Sequence, residues 1–229
     1  MRTAAILPVK SFARAKQRLG ASIDDDLRAE LAAAMVTDVL LALSQTATIE
    51  RTIVVTCERS VARAALEQGA SVVVDELESG QSAAVMLGVA EALATGVERV
   101  LCIPGDCPAL DPGELDALLA ATADGDGGGR EVVIVPDRHG LGTNGLLLRP
   151  PDAIEPSFGP DSCERHSALA ARAGARLRVE RPASLLLDID TGEDLAALRE
   201  RLAGTDSRAA RTRAVLARRD ASLPAAGRG

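Results

Sequence analysis

The sequence predicts an α/β fold on a mainly parallel sheet, and three observations carry that prediction. Short apolar runs alternate with stretches of helical periodicity along the chain. The run RVLCIPG at 99–105 is apolar on both faces, as a central parallel strand must be. Several helix starts also carry capping chemistry: Ser22 precedes Asp24, Asp25 and Asp26, Asp111 precedes Pro112, and Thr191 precedes Glu193 and Asp194.

Taken in order, TAAILPV (3–9) is the first expected strand, followed by a helix over 24–43 that opens on three aspartates. RTIVVTC (51–57) and ASVVVD (70–75) are β-branched runs bounded by turn residues, with a helix over 59–68 between them. A helix over 82–94 leads to the central strand, and Asp111-Pro112 starts the next helix, 112–122. EVVIVPD (131–137) and the apolar LLLR, halted by Pro150-Pro151, are strands joined by the turn GLGTNG. A helix over 161–173, the strand ARLRVE (175–180) and a helix over 191–203 complete the pattern.

A chain of 229 residues without a Ser/Gly linker is expected to form one domain over 1–203. Residues 204–229 carry six Arg against two Asp and are read as a basic, mobile tail, partly helical at most. No apolar stretch reaches roughly 18 residues and no cleavable leader pattern opens the chain, so a soluble cytoplasmic protein without membrane contact is expected. The net charge of −7 and the absence of Trp and Tyr argue against nucleic-acid binding. Phosphates would have to meet local cations, and Lys10, Arg14, Lys16 and Arg18 are concentrated near the start.

The chemistry-bearing motifs admit competing readings. In LCIPGDCPAL (101–110), either Cys102 and Cys107 form a redox or metal pair, or Asp106 is a carboxylate held at the end of a buried strand. The spacing suits no zinc site, and both histidines lie far along the chain, which favours buried, inert thiols. GLGTNG (140–145) matches G-x-G-x-x-G, but a strand follows it where a dinucleotide fingerprint must open a helix. It is read instead as a turn whose backbone amides and Thr143 hydroxyl face a ligand, against the alternative of a plain glycine turn. In FGPDSCERHS (158–167), a helix beginning at Asp161-Ser162 would aim free amides at an anion, unless those residues merely cap their own helix. His166 is read as a polar helix-face residue. DIDTGED (188–194) offers Asp188 and Asp190 either to a hard cation such as Mg²⁺ or to solvent beside a Thr191 cap.

Together PVKSFARAKQRL, GDCPAL, DRHGLGTNGLLL, FGPDSCERHSA and LLDIDTGEDL resemble, over residues 1 to about 202, the guanylyltransferase family of deazaflavin coenzyme F(420) biosynthesis. The resemblance implies a three-layer nucleotidyltransferase fold, similar to the nucleotide-diphospho-sugar transferases, with a mixed, mainly parallel sheet. It implies transfer of GMP from GTP to a phosphorylated three-carbon acid, with release of diphosphate. Asp106, Asp188 and Asp190 match the family's Mg²⁺ ligands, and Thr143, Gly159 and Ser162 match the positions that hold the acid. Lys10 matches a cation beside the nucleotide phosphates, with Lys16 and Arg18 as further candidates. Gln81 and Ser82, in SGQSAAV, stand where related enzymes contact the base. The glycine-rich opening loop of many sugar nucleotidyltransferases is missing. Phosphoenolpyruvate is the preferred acid; 2-phospho-L-lactate and 3-phosphoglycerate are the alternatives, and a catalytically silent nucleotide-binding regulator is the rival from another class. Oligomeric state is left open, a homodimer among the options.

Overall fold

A computed structural model describes residues 1–12, 24–122, 129–203 and 208–222. Seven strands form one sheet: β1 (Thr3–Val9), β2 (Arg51–Thr56), β3 (Ser71–Val73), β4 (Arg99–Cys102), β5 (Glu131–Pro136), β6 (Thr143–Arg149) and β7 (Arg176–Val179), in spatial order β3-β2-β1-β4-β6-β5-β7. All neighbouring pairs are parallel except those of β6, which runs antiparallel to both β4 and β5. The expected mixed, mainly parallel sheet is therefore present, and its one reversed strand has a local cause. β5 and β6 are joined by a short turn at 137–142, so β6 doubles back and fills the space between two parallel strands.

Among the described residues seven α-helices accompany the sheet: α1 (Asp25–Gln45), α2 (Arg59–Glu67), α3 (Gln81–Ala94), α4 (Pro112–Ala121), α5 (Ser162–Arg172), α6 (Gly192–Leu202) and α7 (Ala210–Ser222). Strand alternation divides the core into two layers. Ala5, Leu7, Leu101, Val133 and Leu147 face one side with α1, α2 and α4, while Ile6, Ile53, Cys102, Ile134 and Leu146 face the other with α3 and α5. Full burial of a side chain such as Leu115 of α4 contributes about 1.5–3 kcal/mol. A third cluster joins α6 and α7 to the start of α1 through Leu198, Val215, Leu216 and Leu31.

Caps define the helix starts much as the sequence suggests. Asp24 accepts from Leu27 N at 2.8 Å, Asp111 accepts from Gly113 N at 2.8 Å and from Glu114 N at 3.2 Å, and Thr191 with Asp194 forms a reciprocal capping box. Ser22 lies outside the described residues, as do Lys16 and Arg18. Among the described residues no helix is long and apolar enough to cross a membrane.

Residues 208–222 differ from the mobile tail expected there and include a helix docked on α1. Asp38, 5 % exposed in the middle of α1, accepts from Arg211 N at 3.1 Å, Thr212 N at 2.8 Å and Thr212 Oγ1 at 2.7 Å. Arg208 pairs with Asp111 at 2.8 Å, and Arg218 meets Glu30. The Arg-rich composition hides an apolar stripe, Val215 and Leu216, and a buried acid waiting on α1. Asp38→Ala leaves the buried Thr212 donors without their acceptor. It is expected to lower unfolding free energy by about 1–3 kcal/mol, read as an earlier urea midpoint. An unchanged midpoint would show that α7 is only loosely held.

Candidate active site

Because β6 is reversed, its first residues lie at the carboxyl ends of β4 and β5, where open α/β sheets place ligands. Thr143 and Asn144 are buried there and face opposite ways, at a register shift that leaves Asn144 as an extra residue of β6. Asn144 serves the acidic half of the site: its Nδ2 donates to Leu185 O at 2.9 Å and to Asp188 Oδ1 at 3.1 Å. Thr143 serves a hydroxyl half: its Oγ1 lies 3.0 Å from Ser162 Oγ and 3.1 Å from His166 Nδ1.

Asp106 follows β4 in the turn that GDCP makes. A Cβ at Gly105 would stand 2.9 Å from Val36 Cγ2, so the glycine allows α1 to approach the turn closely. Ile189 N donates to Asp106 O at 3.1 Å and ties the loop after β4 to DIDTGED. Burial raises the Asp188 carboxyl above the usual carboxylate range, with the Asp106 charge the next cause and Asp190 a smaller one. Asp190 N is held by Asp194 Oδ2 at 3.1 Å as part of the α6 cap. Asp194 also takes Arg138 at 2.7 Å, which links DIDTGED to the loop following β5. The donors are all oxygen, the chemistry a hard divalent cation requires. Among the described residues no three acidic, His or Cys side chains are already closed into a metal-holding group. Asp106 and Asp188 form the close part of the acidic half, with Asp190 within electrostatic reach.

The GLGTNG turn departs from its expected role. Asp137 Oδ1 accepts from Leu141 N at 3.0 Å and Oδ2 from Gly142 N at 2.9 Å, while Gly140 N donates to Asp137 O at 3.1 Å. Those amides are engaged in closing the turn and do not face a ligand. The start of α5 is likewise partly satisfied from within, Ser162 N by Gly159 O and Cys163 N by Leu141 O, each at 3.1 Å. What the turn and the helix present are the hydroxyls of Thr143 and Ser162.

Gly159, at φ +110°, gives FGPDS the bend that leads into α5, and Asp161 adopts the left-handed conformation that Asp tolerates. Arg165, four residues on from Asp161, gathers this loop: its guanidinium donates to Ser157 Oγ at 3.1 Å, Ser157 O at 3.0 Å, Phe158 O at 3.1 Å and also to Pro160 O. Phe158 N donates to Ser82 Oγ at 2.8 Å. Ser82, expected beside the base, thus joins the α3 start to the FGPDS loop; Gln81 precedes it, half-buried, at the first position of α3.

Lys10 is exposed just beyond β1. It stands four residues past Ile6, which pairs with Cys102, as Asp106 stands four past Cys102, so both project from the same end of adjacent strands. Its loop is pinned by acids: Ser11 N donates to Glu78 Oε1 at 2.6 Å, and Phe12 N to Glu58 Oε2 at 3.4 Å. The thiol alternative finds no support in the packing. Cys107 lies in the core layer beneath α1 and α4 and Cys102 in the opposite one, where burial pushes its thiol up to about 12.

Asn144, Arg165, His166 and Asp137 make contacts at the site that the sequence reading does not assign. One signal existed for His166: it is four residues after Ser162 on one helix, hence on the same face.

The family model described as "Guanylyl transferase CofC like" matches residues 3–212. A phosphoenolpyruvate guanylyltransferase of Conexibacter woesei is 50% identical over 216 residues, covering 94% of this chain and 96% of its own. Another from Sphaerobacter thermophilus is 38% identical, covering 89% and 94%. Among solved structures, one assigned as a nucleotide-diphospho-sugar transferase from Desulfovibrio desulfuricans G20 superposes with a TM-score of 0.74 at 17% identity, covering 96% of each chain. A nucleotidyl transferase from Methanothermobacter gives 0.61 at 21% identity, covering 90% of this chain and 99% of that one. The structural matches establish the three-layer nucleotidyltransferase fold, and the sequence matches establish that the chain belongs to the CofC-like guanylyl transferase family.

Proposed function

We propose that the protein transfers GMP from GTP to phosphoenolpyruvate, forming enolpyruvoyl-diphospho-guanosine and diphosphate in a deazaflavin coenzyme pathway. The carrying observation is the Thr143-Asn144 dipeptide, which sets a hydroxyl pair and a carboxylate pair back to back at one end of the sheet. The names of the two bacterial relatives support the choice of acid.

In this reading an anionic oxygen of the acceptor phosphate attacks the α-phosphorus of GTP, and the bond to diphosphate breaks as the new P–O bond forms. No general base is required, since the attacking oxygen is already ionised near neutral pH. Asp106, Asp188 and Asp190 would hold Mg²⁺, which when bound supplies positive charge between anions that otherwise repel. Asn144 fixes the Asp188 carboxylate, and the Ile189–Asp106 hydrogen bond keeps the two acidic loops in register. Thr143, Gly159 and Ser162 hold the acceptor for in-line approach, a positioning effect worth up to about 7–11 kcal/mol in favourable cases. Lys10 offsets charge developing on the leaving diphosphate, aided by Lys16 and Arg18, while Gln81 and Ser82 border the nucleotide.

Incubation with GTP, Mg²⁺ and each acid in turn, with products weighed by mass spectrometry, tests the assignment. Phosphoenolpyruvate is expected to give the guanylylated product most rapidly. Faster turnover of 2-phospho-L-lactate or 3-phosphoglycerate would reassign the acceptor, and no product with any acid would favour a silent nucleotide-binding regulator. Asp106→Asn is expected to reduce diphosphate release at least about a hundredfold with an unchanged melting temperature. Near-normal turnover would remove Asp106 from the metal set. Ser162→Ala is expected to lower kcat/KM for the acceptor by roughly tenfold to a hundredfold while GTP KM stays constant; a change confined to GTP would mean that the two substrate sites are exchanged.

A further inference from the structure

We infer that His166 is a positioning residue that sets the hydrogen-bond polarity of the Thr143–Ser162 hydroxyl pair, so that the pair presents an O–H donor, suited to an anionic oxygen, toward the acceptor. This rests on the acceptor site proposed above.

A proton count supports it. Ser157 N–H, a backbone donor, points at His166 Nε2 at 2.9 Å, so that nitrogen must carry a lone pair. In a neutral ring the proton then resides on Nδ1, 3.1 Å from Thr143 Oγ1, which accepts it. Thr143 and Ser162 share one further hydrogen bond at 3.0 Å. Two hydroxyls carry two protons, and one lies between them. Whichever hydroxyl donates within the pair, the second proton has no acceptor among the described residues and is available to a ligand.

The opposite tautomer reverses the outcome. With a lone pair on Nδ1, Thr143 would donate to the ring and Ser162 to Thr143, leaving only lone pairs to face an incoming phosphate or carboxylate. The ring is fully buried, 0 % exposed, and burial together with the Arg165 charge lowers its pKa to about 4, so it stays neutral near pH 7. The Phe158 ring meets it edge-on, with centroids 5.0 Å apart, and limits its rotation. Ser157 lies on the loop gathered by Arg165, so the loop that approaches the acceptor also dictates the tautomer.

Two substitutions separate this role from simple packing. In His166→Asn the side-chain amide takes the place of Nδ1 and can donate to Thr143; in His166→Gln it takes the place of Nε2 and can only accept from Ser157. The Asn variant is expected to keep acceptor KM within about threefold of wild type, whereas the Gln variant raises it about tenfold, GTP KM being constant in both. Equal losses in the two variants, or a better Gln variant, would overturn the inference in favour of a packing role. A second measurement uses the unmodified protein. Nitrogen-15 spectra of its two histidines, with His166 assigned by loss of the other signal in His139→Gln, are expected to show a neutral ring protonated at Nδ1 at pH 7. Protonation at Nε2, or a charged ring, would overturn the inference without any His166 variant. Ser162→Ala run in parallel distinguishes the failures: an unaltered acceptor KM there removes the acceptor site itself, whereas a raised KM beside an indifferent His166→Gln removes only the role of His166.

Discussion

The reversal of β6 is the constraint on which the site depends. A strand inserted antiparallel between β4 and β5 brings its amino end to the carboxyl end of its neighbours, and a register shift there leaves Thr143 and Asn144 on opposite sides. One dipeptide thereby addresses two chemically different surroundings. The register is strongly fixed, because Leu146 and Leu148 face the α3 and α5 layer while Leu147 faces that of α1 and α4. A one-residue slip of these leucines would bury the wrong set. Between them and Thr143 the register shifts, Val135 facing Gly145 and Pro136 facing Thr143, so Asn144 is an extra residue and this bulge, set on the packed core, aims the two polar side chains.

The acidic half gathers like charges, which destabilises it in the absence of a counter-ion. The fold offsets that repulsion with neutral and backbone contacts. Asn144 donates to Asp188, Ile189 N holds the Asp106 carbonyl, and the α6 capping box fixes the chain on the far side of Asp190. The Arg138–Asp194 pair, with its acid almost fully buried, places a cation behind the capping box. These contacts tie the loop after β4 to DIDTGED and hold the acids near one another.

How much of this was legible in the sequence follows from how local each feature is. Asp106, Thr143 and Ser162 stand out because Gly, Pro or a strand end isolates each within a few residues of a structural boundary, and the caps at Asp111 and Thr191 are complete within one turn. His166 was read as a helix-face residue because its significance arises only when β6, from another part of the chain, arrives against α5. GLGTNG was read as an anion-facing turn because glycine permits that arrangement, yet Asp137, only a few residues earlier, engages the amides first. The docking of α7 was hidden most deeply. Thr212 and Asp38 are separated by 174 positions, and nothing near either residue signals the other.

The proposed acceptor half raises a question of charge, since the Arg165 cation of its loop is already occupied. Arg165 donates to three carbonyls and one hydroxyl of 157–160, so its guanidinium fixes the loop and is poorly placed to grip a phosphate as well. Its charge nevertheless persists, because neutral acceptors solvate a cation without cancelling it. Burial first, and the same charge second, disfavour protonation of His166. An arginine that bound the acid directly would be free to follow it out of the site. One locked into the loop supplies a fixed field instead, and in the proposed reaction orientation would fall to the Thr143 and Ser162 hydroxyls. That division would suit an acceptor aligned with a second anionic substrate: the field would attract, the hydroxyls would orient, and neither would need to move as the bond to diphosphate breaks.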